Sequence, residues 1–146
     1  MVSVGITGGI GSGKTTVCNI WESLGAFVLN ADDLAKKIMT EDDEVIAEIK
    51  DVFGEASYQA DGSLNRNHLS YQAFQKGRVD ELNAIVHPRI PEKSEQIKET
   101  ARKKGRKLFV YEAALLLENI RSGFLDYIVI VLAEPGKPRG ARPEAG

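Results

Sequence analysis

The run Gly8-Gly9-Ile10-Gly11-Ser12-Gly13-Lys14-Thr15 fills every position of the pattern G-x-x-x-x-G-K-[ST], whose chemistry is phosphate binding. Glycine has no Cβ, so the backbone can take positive φ angles and come close to phosphate oxygens, turning successive N–H groups into one anion-sized concavity. Gly9, Gly11, Ser12 and Gly13 are the loop positions expected against a nucleoside triphosphate. Lys14 adds a mobile positive charge for the β- and γ-phosphates. Thr15 offers a hydroxyl to Mg²⁺, and Thr16 reaches for the α-phosphate from the positive end of the following helix.

Such a loop works only between a strand and a helix, and the flanking residues predict both. Val2 to Thr7 reads as a buried strand, and Val17, Ile20, Trp21 and Leu24 recur at helical spacing from Lys14 onward. Gly25 ends that helix, and Ala26 to Leu29 begins a second strand. Asp32 and Asp33 then open a helix that runs to Met39, which places Asp32 at a strand-to-helix junction. Thr40 can cap the next helix, whose apolar positions Val45, Ile46, Ile49, Val52 and Phe53 lead to Gly54. After a turn at Asp61-Gly62-Ser63, helices are predicted over Arg66 to Gln75, Arg78 to Val86 and Pro88 to Lys104. Lys107 to Tyr111 and Asp126 to Ala133 read as further strands, both apolar on two faces, as in a parallel sheet covered by helices.

Composition limits the partners. A chain of 146 residues with 42% hydrophobic content suits about one domain with a sizeable core. A net charge of −2 exerts no general pull on nucleic acid or an acidic membrane, so an anionic ligand needs a local site. The basic run Arg102 to Lys107 is expected as the solvated end of a helix. One cysteine, Cys18, excludes an internal disulfide, fits a reducing compartment and suits packing on the loop helix. The start of the chain lacks the pattern of a signal peptide and no apolar stretch is long enough to span a membrane, so the cytoplasm is the expected location. No feature sets an oligomeric state.

With these blocks laid out, the chain resembles the dephospho-coenzyme A kinases over about residues 2 to 133. The resemblance rests on Ile6 to Thr16, on Leu24-Gly25-Ala26 leading to Asn30-Ala31-Asp32, on Ala60 to Arg66, on Leu82 to Ile90 with its His87-Pro88-Arg89, and on Leu115-Leu116-Leu117-Glu118. It implies an α/β fold of the P-loop NTPase type: a nucleotide core over residues 1–32 and 106–134, and a helical insert over 33–105 that holds the coenzyme A precursor. The implied reaction is ATP-dependent phosphorylation, with Mg²⁺, of the ribose 3′-hydroxyl of dephospho-coenzyme A. Lys14 and Asp32 are the implied catalytic residues, with Asp32 accepting the hydroxyl proton. His87, Arg89 and Glu118 join Asp32 near the acceptor. Helix capping by Asp32 or His87, and a place for Glu118 on a polar helix face, stay open as alternatives.

Three departures from the family pattern stand out. Asn30 replaces a usual Asp, and Ala114 replaces a usual Pro. Beyond about Ala133 the family continues with an arginine-bearing lid helix and further elements, whereas residues 135–146 are a Pro/Gly/Arg/Ala stretch expected to be disordered. The lid region and the last elements of the fold are thus expected to be missing. Two other functions remain open: a nucleotide-binding relic without catalysis, and a P-loop kinase for another small alcohol or nucleoside.

Overall fold

β1 (Val2–Gly8) occupies an inner position because its residues are apolar or small on both faces, and Val4, Gly5 and Ile6 are all buried. A computed structural model describes residues 1–9, 13–114 and 120–132. The remaining elements in chain order are α1 (Lys14–Ser23), β2 (Phe27–Asn30), α2 (Ala31–Glu41), α3 (Asp43–Phe53), α4 (Arg66–Leu69), α5 (Val79–Val86), α6 (Ile90–Lys103), β3 (Leu108–Glu112) and β4 (Tyr127–Val131). Among the described residues the sheet is four-stranded in the order β2-β3-β1-β4, and every pair is parallel.

The chain divides into two compact units, Met1–Ala31 with Ser94–Gly146, and Asp32–Lys93. In the first unit α1 covers one face of the sheet. Ile6, Cys18, Ala26 and Val110 are buried together there, with Val17, Trp21, Val28, Val129 and Val131 packed against them. The other face carries an aromatic group: Phe27 stacks on Phe109 at 6.1 Å, and Phe124 meets Phe109 and Tyr111 edge-on at 5.7 and 5.5 Å. Full burial of each such side chain contributes about 1.5–3 kcal/mol. Asp126 secures the entry to β4, its backbone N–H donating to Ser3 O at 2.7 Å while its carboxylate accepts from Ser3 N at 2.8 Å. Burial also pushes the Cys18 thiol up to about 11, with the carboxylates of Glu112 and Glu22 adding to the rise and Lys14 opposing it.

β4 differs from the expectation of a strand buried on two faces. Among the described residues it pairs only with β1, and while Val129 and Val131 reach the core, Ile128 and Ile130 on the opposite face are 49% and 62% exposed.

The second unit is helical around Leu34, Ile38, Val45, Ile49, Phe53 and Ile85, all buried. Its helix boundaries also correct the sequence expectations. Thr40 lies inside α2, where its hydroxyl donates to the carbonyls of Lys36 and Lys37. Asp42 caps α3 instead, accepting from Glu44 N at 3.1 Å and Val45 N at 3.2 Å. A carboxylate at the positive end of a helix outcompetes a hydroxyl for these amides. The single helix expected over Arg66 to Gln75 is α4 followed by a π turn over Ser70–Gln75. The wider turn keeps Leu69 and Ala73 inside while Phe74 stands 65% exposed. Finally, α6 starts at Ile90, after a 3₁₀ turn over His87–Arg89.

Replacement of the α3 cap, Asp42→Ala, is predicted to lower stability by about 1 kcal/mol in urea denaturation, with Thr40→Ala costing clearly less. A larger loss from Thr40→Ala would return the capping role to Thr40.

Candidate active site

The loop begins where β1 stops. Gly8 ends the strand and Gly9 is exposed; Ile10, Gly11 and Ser12 lie outside the described residues. Gly13 then launches α1 with φ 91° and ψ 10°, a left-handed conformation. A Cβ at this position would meet nothing within 4 Å, so the backbone angle alone calls for glycine here. α1 has no side-chain cap and no acidic residue in its first turn. Among the described residues no side chain takes its leading amides, which with the positive end of the dipole suit an anion. Lys14 is half-buried at the head of this helix, with Thr15 and Thr16 exposed beside it. Gly9 thus lies just after β1, and Gly13, Lys14, Thr15 and Thr16 lie at the head of α1.

The carboxyl ends of the neighbouring strands supply a second group. Glu112 closes β3, only 8% exposed, in register with Ile6 of β1 and Asn30 of β2. Asn30 Nδ2 donates to Glu112 Oε2 at 2.9 Å. The chain just beyond is tied to β1: Ala113 N donates to Ile6 O at 3.1 Å, and Thr7 Oγ1 to Ala114 O at 3.1 Å. Burying a carboxylate is costly without compensation, and the Asn30 amide provides part of it.

Sequence reading passed over Glu112, because it ended the third strand at Tyr111. The signal was present as a lone carboxylate closing the apolar run Leu108 to Tyr111. Thr15 and Glu112 present hydroxyl and carboxylate oxygens, the hard donors that Mg²⁺ takes together with phosphate oxygens and water, so the residues fit that ion.

The other expected site residues belong to the helical unit or to undescribed segments. Asp32 is exposed in the first turn of α2, two residues after Asn30. His87 opens the 3₁₀ turn and is half-buried. Arg89 forms an ion pair with Glu44 of α3, and this contact, aided by Asp42 and Glu48, raises its pKa further above the usual value. Glu118 and residues 135–146 lie outside the described residues.

Comparison with known proteins bears on family and fold. The family model for dephospho-CoA kinase matches residues 2–138. A dephospho-CoA kinase of Salinibacter ruber is 47% identical over 134 residues, covering 91% of this chain and 67% of that protein. One from Corynebacterium jeikeium is 40% identical over 132 residues, covering 90% and 68%. Among solved structures, a dephospho-CoA kinase from Campylobacter jejuni superposes with a TM-score of 0.66 at 25% identity, covering 88% of this chain and 64% of its own. A crystal structure from Thermus thermophilus gives 0.65 at 34% identity, covering 89% and 64%. The chain therefore spans about two thirds of the length of these relatives. Since the match takes in the phosphate loop, all four strands and the helical unit between them, the chain belongs to the dephospho-CoA kinase family of ATP-dependent kinases.

Proposed function

We propose that this chain transfers the γ-phosphoryl group of ATP to the ribose 3′-hydroxyl of dephospho-coenzyme A, giving coenzyme A and ADP. The observation that carries the reading is the family match over residues 2–138, which includes the loop ending in Lys14-Thr15. Phosphoryl transfer asks little covalent chemistry of a protein. Its rate comes from aligning two oxygens and neutralising charge on the group in flight.

In this reading the amides at the head of α1 hold the triphosphate, and Lys14 answers charge on the β- and γ-phosphates. Mg²⁺, when bound, neutralises phosphate charge; Thr15 and Glu112 are the residues that would hold it, directly or through water. Asn30 keeps the Glu112 carboxylate oriented through its 2.9 Å hydrogen bond. Asp32 takes the proton of the ribose hydroxyl as that oxygen attacks phosphorus. The helical unit, Asp32–Lys93, is the precursor-binding part, with His87 and Arg89 on the acceptor side. For Arg89 to meet a phosphate, its pair with Glu44 must exchange for the ligand.

A coupled assay of coenzyme A formation tests the reaction. ATP and dephospho-coenzyme A binding without any product at high protein concentration would favour the relic alternative, and turnover of other alcohols in preference would favour the third reading. Lys14→Met is predicted to lower kcat/KM by about 10²-fold or more with an unchanged thermal midpoint, and full turnover in the folded variant would remove the loop from the active site. Glu112→Gln keeps an acceptor for Asn30 but loses the charge, so the Mg²⁺ concentration for half-maximal rate should rise about tenfold; an unaltered Mg²⁺ dependence would leave Glu112 a structural role. Asp32→Asn should depress kcat by about 10²-fold while the ATP dissociation constant stays within twofold, and an unchanged rate and pH profile would reduce Asp32 to a helix-opening residue.

A further inference from the structure

The end of α6 accounts for only part of the basic run Arg102 to Lys107. Lys103 is the last helical residue and Lys104 follows it, where cations suit the negative end of the dipole. Arg106 and Lys107 lie beyond Gly105, whose φ of 77° turns the chain out of the helix toward β3. These two cations instead line a pocket of about 290 Å³, shared with Trp21, Leu24, Ala26 and Leu108.

Two similar connections build this pocket. α1 turns through Gly25, at φ 101°, into β2, and α6 turns through Gly105 into β3. Because β2 and β3 are parallel neighbours, both turns meet at the amino ends of these strands, the opposite end from Asn30 and Glu112. Arg106 ties the turns together, its Nη1 donating to Gly25 O at 3.2 Å. The carbonyls of the two helix ends are engaged by backbone amides: Glu22 O by Gly25 N, Trp21 O by Ala26 N, Arg102 O by Gly105 N and Ala101 O by Arg106 N. What the side chains add is donors. A guanidinium carries five N–H groups in a fixed fork, and the bond to Gly25 is the one Arg106 makes among the described residues. Among the same residues the Lys107 ammonium has no ion-pair or hydrogen-bond partner, and the pocket lining contains no carboxylate.

Beside these donors stands an apolar wall. Trp21 packs against the core of Ile6, Cys18, Ala26 and Val110 yet stays half-buried, and Leu24 is 79% exposed. Apolar surface with a few convergent polar groups is the make-up of a small-molecule site, and an arginine beside a lysine suits the oxygens of an acid. A volume near 290 Å³ lies at the lower end for such sites, enough for one ring or branched group with its acid and too small for a nucleoside triphosphate.

We infer that this pocket binds a small organic anion, a carboxylate or phosphate monoester carried on one aromatic ring or branched aliphatic group. Arg106 and Lys107 receive the acid oxygens; Trp21, Leu24 and Leu108 receive the apolar part. The site is separate from the phosphate loop, since Lys14 and Trp21 stand at opposite ends of α1, about 10 Å apart along its axis. It does not depend on the kinase reading.

Trp21 is the only tryptophan of the chain, so intrinsic fluorescence reports from the pocket wall. Phenyl phosphate and benzoate are titrated into the full chain, with and without millimolar ATP·Mg²⁺ to keep them off the phosphate loop, and beside inorganic phosphate and benzyl alcohol. Both organic anions should give a saturable change that persists with ATP·Mg²⁺, the tighter of the two identifying the preferred acid. Inorganic phosphate, which lacks the ring, and benzyl alcohol, which lacks the charge, should each bind at least tenfold more weakly. The double substitution Arg106→Gln with Lys107→Gln should weaken both anions by about tenfold or more and flatten their salt dependence. Leu24→Glu, which sets a negative charge at an exposed position, should do the same and decides the matter if the double variant does not fold. Equal binding by the wild type and the folded variants would overturn the assignment. So would loss of the signal under ATP·Mg²⁺, or the absence of any saturable change at millimolar probe.

Discussion

A single backbone conformation underlies the site: Gly13 at φ 91°, between the end of β1 and the first turn of α1. A side chain at that residue would carry the strain of a left-handed angle. Everything the helix head offers follows from that turn. Among the described residues no side chain caps the leading amides, the first turn bears no carboxylate to cancel the dipole, and Lys14 is the first residue of the helix. The sheet keeps this geometry rigid. β1 is hydrogen-bonded on both sides by β3 and β4, and Ile6, two residues before the strand ends, is fully buried.

At the carboxyl end of β3 the sheet buries an acidic residue, Glu112. A buried carboxylate needs donors, and Asn30 on β2 is one. This gives physical meaning to the departure from the family pattern at residue 30. An aspartate there would set two carboxylates at hydrogen-bonding distance, each disfavouring the charged form of the other. An asparagine replaces that repulsion with an attractive contact.

The strand and helix on either side of the loop were readable from sequence because each signal is local: an apolar strand, a helical apolar period. Cys18 was placed in the core by the same means, and it packs with Ile6 and Val110. Glu112 was missed because its meaning is not local. Its neighbours Ile6 and Asn30 are 106 and 82 positions away in the chain, and only strand register brings them together. The exposed face of β4 escaped notice for a related reason, since the run Ile128 to Leu132 looks the same whether a strand is central or has one partner. At Thr40 and Asp42 two capping residues stood two positions apart, and composition alone did not say which one the helix would use. The π turn over Ser70–Gln75 depends on burying Leu69 and Ala73 together, a packing demand no propensity expresses.

The central claim is that the amides at the head of α1 bind a triphosphate. Amide ¹H–¹⁵N shifts recorded while ATP·Mg²⁺ is titrated into the folded chain test it most directly. The account predicts saturable changes that are largest at Gly13, Lys14, Thr15 and Thr16. Those amides staying unmoved at millimolar ATP·Mg²⁺, in a chain whose other resonances report an intact fold, would contradict it.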